Sequence, residues 1–343
     1  MKVLPVEQAV GMVLAHDMTE IVPGKSNGAA FKKGHVIRKE DISRLLNMGK
    51  EHIYIMEFKE GDLHENEAAI RMAKAAAGQG IEFSEPTEGK VNLTSKYPGL
   101  LKVNFKALAE INSIDEIMFA TLHTNQFINE NTKIAGTRII PLVINEEKIK
   151  AVEDICKINY PIIEVKPLKK LKIGIVTTGN EIFYKRIKDK FGPVIEEKFK
   201  ELGCNVVKQI FSKDDADMIA ESIKTLINEG VDIITLTGGM SVDPDDVTPT
   251  GIKKSGAHII SYGAPTLPGA MFLLSYIDNI PVLGLPGCVM YSKRTIFDLV
   301  VPRLVAGEIV NKEDIVKLGH GGFCPGCESC RYPNCGFGKG GLY

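Results

Sequence analysis

The sequence has no long apolar run and no excess of either charge. No stretch reaches the roughly 18 to 20 consecutive apolar residues needed to cross a bilayer. The opening MKVLPVEQAVGMVLAHD has no basic segment followed by an unbroken apolar one, so the chain is expected in the cytoplasm with no membrane partner. With 42 Lys and Arg against 43 Asp and Glu, the formal net charge is −1. No global field then favours a polyanion, and nucleic acid is not an expected partner. Cysteine is sparse over most of the chain: Cys156, Cys204 and Cys288 are scattered, while Cys324, Cys327, Cys330 and Cys335 crowd together near the end. Without a secretion signal thiols stay reduced, so the crowding points to metal ligation rather than a disulfide framework.

What is present suits a multidomain protein. A chain of 343 residues, 44% of them hydrophobic, can bury more than one core. In the first sixty residues Ile42, Leu45 and Leu46 form one apolar helical face stopped at Gly49, and HIYIM at 52–56 alternates as a strand does. HENEAAIRMAKAAAG is rich in helix formers and ends at Gly78 and Gly80. From 81 to 150, LLKVNF and TRIIPLVI are strand-like runs between Asn, Gly and Thr punctuation, and IDEIMFATL is a candidate helix. Pro161, Pro167 and the lysines of KPLKKLK suggest a connector. The expected units are 1–60, an α+β segment; 61–168, an α+β or β-rich accessory domain; 169–310, an α/β domain; and 311–343, a cysteine-rich tail.

Beyond 168 strands and helices alternate. LKIGIVTT is a buried strand and NVVKQIF, VDIITLTGG and PVLGL are further strands; VIEEKFKELG and DDADMIAESIKTLINEG are amphipathic helices, and a further helix is expected from about 289 to 304. This order predicts a doubly wound, mostly parallel sheet whose ligand sits beyond the carboxyl ends of the strands. Three loops fall there. The first holds Thr178, Gly179, Asn180 and Glu181. The second follows a strand with Gly238 and Gly239, which let backbone N–H groups approach a phosphate, then Ser241 with a hydroxyl donor and Asp243, Asp245 and Asp246. Such acids beside a phosphate call for a divalent cation such as Mg2+, or the N–H donors of a pterin. The third holds Pro286, Gly287 and Cys288, with Pro268 and Gly269 able to close the far side. Asp214 and Asp215 read as solvated caps of a helix N-terminus.

TTGNEI at 177–182, TGGMSVDPDD at 237–246 and GLPG at 284–287 resemble, in order and spacing, the molybdopterin-binding domain shared by molybdopterin adenylyltransferases and molybdopterin molybdenumtransferases. FKKGHVIRKEDISRLLNMGKEHIYI resembles the piece that precedes that domain in the molybdenumtransferases. The whole chain looks closest to molybdopterin-binding proteins of anaerobes that share the VDPDD loop and a cysteine-rich tail. The resemblance implies binding of molybdopterin, its adenylylated form or the molybdenum cofactor. It puts Gly238, Gly239 and Ser241 near the phosphate, and Asp243, Asp245 or Asp246 near metal or pterin as the candidate catalytic acids. Against the molybdenumtransferase pattern an acid is missing at Asn180, a cation at Leu267-Pro268-Gly269-Ala270 and an amide at Gly287-Cys288-Val289. A neutral amide cannot replace an acid that binds magnesium or activates a molybdate oxygen, so binding is expected more firmly than molybdate insertion.

The tail spaces its thiols C-x-x-C-x-x-C-x-x-x-x-C. This is one residue longer in the last gap than a run that ligates a 4Fe–4S cluster, and equally able to wrap zinc. Three functions compete: an enzyme acting on molybdopterin, a carrier that hands the mature cofactor to a molybdenum- or tungsten-dependent enzyme, and a pyridine-nucleotide hydrolase, since one amidase family carries a related domain. Related molybdenumtransferases imply a homodimer.

Overall fold

A computed structural model describes residues 2–20, 28–55 and 60–340. The chain forms two compact units, one from 1–97, 102–122 and 129–165, the other from 98–101, 123–128 and 166–343.

In the first unit the expected helix at the N-terminal end spans Asp41–Asn47, its Leu45 fully buried, and Gly49 follows with φ of +75°. His52–Ile55 is the expected strand, antiparallel to Lys2–Pro5; Met56, its expected last residue, lies outside the described residues. Val6, Leu14, Phe31, Ile37, Leu45 and Ile53 make a small core. Farther on, the alanine-rich helix Glu65–Ala76 lies on a four-stranded antiparallel sheet in the order Ile81–Phe83, Val91–Ser95, Lys133–Ile139, Ile117–Thr121. Arg71 on that helix pairs with both Glu146 and Glu153 at 2.8 Å. One expectation fails here. IDEIMFATL is not helical: Ile117–Thr121 is a strand, and the helix is Phe105–Asn112, just upstream. The Asn104 side chain accepts from the Ala107 N–H at 3.2 Å and starts that helix, while Ile117 and Phe119 alternate inward as strand residues do.

The second unit is built on a six-stranded sheet. Its strands are β1 (Lys172–Thr178), β2 (Asn205–Ser212), β3 (Ile233–Thr237), β4 (His258–Tyr262), β5 (Leu273–Ile277) and β6 (Ile280–Leu285). The spatial order is β2-β1-β3-β6-β5-β4. The first four run parallel; β5 and β4 add on antiparallel, joined to β6 through a tight hairpin. The helices are α1 (Asn180–Phe183), α2 (Phe191–Glu201), α3 (Ala216–Asn228), α4 (Thr248–Lys254), α5 (Ile296–Val305) and α6 (Lys312–Val316).

Side-chain alternation sorts the strands onto two cores. Ile173, Ile175, Ile233, Leu283 and Leu285 pack with Phe199 of α2 and Phe297, Val300 and Val301 of α5. Val176, Ile234, Leu236 and Val282 pack on the opposite face with Ile219, Ile223 and Leu226 of α3 and Ile252 of α4. The result is the expected three-layer, doubly wound α/β arrangement. Gly174 lets α3 approach: a Cβ there would stand 2.8 Å from Leu226 Cδ1. Because β2 and β3 flank β1 on opposite sides, the chain switches direction across the sheet at β1 and β3, and a crevice opens beyond their carboxyl ends.

The helix expected from about 289 is shorter. Gly287–Met290 is a single 3₁₀ turn, and α5 starts only at Ile296, where Thr295 and Asp298 form a reciprocal capping box. Asp298 is buried; its carboxylate accepts from Thr295 N–H at 2.7 Å, Arg294 at 2.8 Å and the buried Lys198 at 3.2 Å.

Candidate functional site

The floor of the crevice is a knot of threonines and glycines. Thr178, the last residue of β1, donates its hydroxyl to the Thr237 carbonyl at 3.3 Å and shares a hydrogen bond of 3.1 Å with the Thr248 hydroxyl. Thr248 in turn donates to the Gly238 carbonyl at 2.9 Å, which ties the end of β3 to the start of α4. Gly238 and Gly239 both have positive φ, +87° and +56°. A Cβ on Gly238 would lie 2.3 Å from the Thr178 carbonyl oxygen, and one on Gly239 would lie 2.6 Å from Thr248 Oγ1. Only glycine fits either position, for steric and conformational reasons together.

Above this floor opens a cleft of about 570 Å³. Of the residues singled out by sequence, Gly238, Gly239, Ser241 and Asp246 line one side, and Pro268, Gly269, Pro286 and Gly287 line the other. Pro268 and Gly269 do close the far wall: the Pro268 carbonyl accepts from Ile296 N–H at 3.3 Å, and Gly269, with φ of +134°, lies so close to α5 that a Cβ would meet Ile296 at 2.6 Å. Met240 plugs the base. Its methyl lies against Gly284, where a Cβ would come within 2.5 Å. Cys288 also lines the cleft, and burial pushes its thiol pKa up, which keeps it protonated at neutral pH.

None of Thr178, Gly179, Asn180 and Glu181 lines this cleft: Thr178 and Gly179 are buried, Thr178 within the floor, and Asn180 and Glu181 are exposed on α1. Asp243 and Asp245 are exposed on the loop outside the cleft. That loop is held by its own turn, with Asp246 N–H donating to the Asp243 carbonyl at 2.9 Å and Asp243 N–H to the Asp246 carboxylate at 3.2 Å.

The structure corrects the reading of Asp214. Asp215 is the cap of α3, accepting from the N–H groups of Asp217 and Met218 at 2.9 Å. Asp214 instead crosses to the first loop and accepts from the Asn180 N–H at 2.9 Å. Burial raises its pKa, opposed by that hydrogen bond and reinforced by the negative charges of Glu181, Asp245 and Asp246. Acids from two other loops thus act on Asp214 across the same rim. Sequence reading could not separate Asp214 from its capping neighbour, because both precede the same helix. Thr248 was also missed: it stands ten residues beyond Gly238 and joins the floor only through the fold. Tyr262 carries no local signal either; its phenol pKa is raised by burial and by Asp246, and its hydroxyl donates to the Met240 carbonyl at 3.4 Å.

The tail thiols are free and all four line a second cavity of about 260 Å³. Among the described residues no three histidine, cysteine, aspartate or glutamate side chains converge as ligands of one metal ion. No helix among them is long and apolar enough to cross a membrane.

The unit is thus a doubly wound α/β domain with a glycine-floored cleft at the topological switch point of its sheet, the place where such sheets hold ligands. Residues 174–306 match the family described as a probable molybdopterin binding domain. Residues 3–57 match a second family, described as a domain of unknown function. A molybdopterin molybdenumtransferase of Staphylococcus aureus strain COL is 28% identical over 136 residues, covering 38% of this chain and 32% of that protein. A CinA-like protein of Mycobacterium sp. strain MCS is 35% identical over 83 residues, covering 24% of this chain and 20% of that one. The chain thus spans about a third of the length of the molybdenumtransferase it matches. Similar solved structures include the molybdopterin biosynthesis enzyme MoaB of Thermus thermophilus, with 20% identity, TM-score 0.34, and coverage of 40% of this chain and 98% of that one. The tungsten cofactor synthesizing protein MoaB of Pyrococcus furiosus has 23% identity, TM-score 0.31, and coverage of 35% and 84%.

Proposed function

We propose that the cleft binds molybdopterin, in free, adenylylated or metal-loaded form, and that the protein serves in the assembly of molybdenum or tungsten cofactor or its delivery to a partner enzyme. The observation that carries this reading is the pair of positive-φ glycines, Gly238 and Gly239, flooring a 570 Å³ cleft at the ends of β3 and β6. Backbone N–H groups there suit a phosphate, with Ser241 as a further donor. Asp246 on the wall suits the N–H groups of a pterin, and Glu181, Asp214 and Asp245 on the rim suit Mg2+. Carriage is favoured over molybdate insertion because Asn180 is neutral and exposed, Ala270 supplies no cation and Cys288 supplies no amide. A reaction on the bound pterin, as in the molybdenumtransferases, is the second reading, motivated by the acids Asp243, Asp245 and Asp246. The similarity to a CinA-like protein keeps a nucleotide hydrolase as the third.

The test is anaerobic purification from a host that makes molybdenum cofactor, followed by fluorescence of the oxidised pterin released on denaturation. Pterin should accompany the parent protein and be absent from Gly239→Val, with the far-UV circular dichroism of the two compared to establish folding. Co-purified molybdenum or tungsten supports delivery; a pterin altered by added molybdate or nucleotide supports the enzyme. Parent protein that never carries pterin, and retains none when it is supplied, sinks the proposal. Binding of pyridine nucleotides would move the reading to the hydrolase.

A further inference from the structure

The tail gathers four thiols around one space, and that space is built. Cys324 N–H donates to the Leu267 carbonyl at 2.8 Å and Leu267 N–H to the Gly322 carbonyl at 2.8 Å, so the first cysteine is stitched to the loop of Pro268. Tyr332 donates its hydroxyl to the Asp298 carbonyl at 3.2 Å, and Phe337 is 2% exposed, its ring 6.3 Å from that of Tyr332. Gly338 N–H returns to the Gly321 carbonyl at 2.9 Å. A glycine-rich segment is thereby pinned at both ends and in the middle, with Cys324, Cys327, Cys330 and Cys335 all facing one cavity of about 260 Å³.

The size of that cavity separates the two metals that the spacing left open. A tetrahedral zinc needs its four sulfurs about 2.3 Å from a single atom. Here the four thiols line a space of about 260 Å³, much larger than one ion. A cluster of several iron and sulfide atoms takes its thiolates at separate corners and fills such a space. Charge agrees: Lys293 and Arg331 line the cavity against the single acid Glu328, while Arg294 is paired with Asp298, and net positive charge favours a dianionic cluster with four thiolate ligands. We propose that Cys324, Cys327, Cys330 and Cys335 ligate a 4Fe–4S cluster in this cavity. Pro268 lines both this cavity and the cleft, so the cluster stands directly behind the cleft wall. The assignment rests on the thiols and their cavity, and not on the identity of the ligand in the cleft.

The experiment is anaerobic reconstitution of the full chain with ferrous iron and sulfide, then iron and acid-labile sulfide analysis and electron paramagnetic resonance after dithionite reduction. About four iron and four sulfide per chain, with a reduced-cluster signal, are expected. Cys327→Ser and Cys335→Ser should lower the iron content several-fold, while Cys156→Ser, in the other unit, should leave it unchanged. Circular dichroism of each variant establishes that the protein is folded. One zinc per chain without sulfide overturns the proposal, as does a folded Cys327→Ser/Cys330→Ser protein that keeps its full iron. Pterin is measured on the same samples: cluster without pterin leaves this site standing and removes the proposed function, and pterin without cluster does the reverse.

Discussion

At the scale of single residues, Gly238 carries two separate demands, and they can be measured apart. Gly256 has φ of +95° with open space around its Cα, so Gly256→Ala meets only the backbone cost of roughly 1–2 kcal/mol. Gly238→Ala meets that cost and also a Cβ 2.3 Å from a carbonyl oxygen, which cannot move without shifting β1. Its midpoint of thermal unfolding should therefore fall clearly further than that of Gly256→Ala, at roughly 2–4 °C per kcal/mol for a domain of this size. Equal losses would mean that the floor of the cleft is not packed as described. Asp214 makes a prediction of a different kind. Its pKa is raised above the ordinary 3.8, so the folded state favours its protonated form. The associated stability is whole below about pH 3.8 and is lost as pH rises through the elevated folded value. Asp214→Asn, neutral throughout, should match the parent in acid and gain on it toward neutral pH; urea midpoints across that range read the difference. If the rim acids collect Mg2+, adding it should raise the parent's midpoint more than the variant's.

At the scale of elements, the lower wall of the cleft depends on where α5 begins. Asp298 caps that helix and is the buried counter-charge of Lys198 and Arg294. Removing one member of a buried pair strands the other charge, so Asp298→Ala should cost about 3–5 kcal/mol in urea unfolding. A loss under about 1 kcal/mol, the level of an ordinary single hydrogen bond, would show that Lys198 finds enough compensation at the Lys293 carbonyl, which it reaches at 3.1 Å. Leu226 is the matching test on the other face. Fully buried on α3 against Gly174, its replacement by Ala should cost about 2–5 kcal/mol, the range for a large side chain lost from a packed core.

At the scale of the whole molecule, ligand binding and stability are linked. Molybdopterin held at a hundred times its dissociation constant should stabilise the unit that contains the cleft by about 2.7 kcal/mol. This is visible as a rise in unfolding midpoint that Gly239→Val abolishes; a midpoint indifferent to pterin would contradict binding to the folded state. Net charge belongs to this scale too. At −1, the chain should show no retention by DNA at physiological salt.

The legible parts of this protein are those written in local chemistry. Strands such as LKIGIVTT and VDIITLTGG and the helix DDADMIAESIKTLINEG announce themselves by apolar period and capping, and the glycines of TTGNEI and TGGMS mark strand ends where a turn is obligatory. Where periods conflict, reading by sequence erred: IDEIMFATL carries apolar residues compatible with a helix, and only pairing of Ile117–Thr121 with Lys133–Ile139 makes it a strand. The start of α5 was misplaced because VMYSKR at 289–294 has no glycine or proline, and the true start is set by a capping box that includes a buried acid. By itself, the sequence determined the doubly wound sheet, the three loops and the four thiols, since these follow from periodicity, glycine and spacing. Only the tertiary structure decided that Asp214 joins the rim, that Thr248 closes the floor, and that the thiols surround a cavity sharing Pro268 with the cleft. Each of those joins residues far apart in the chain, through hydrogen bonds and packing that no local pattern encodes.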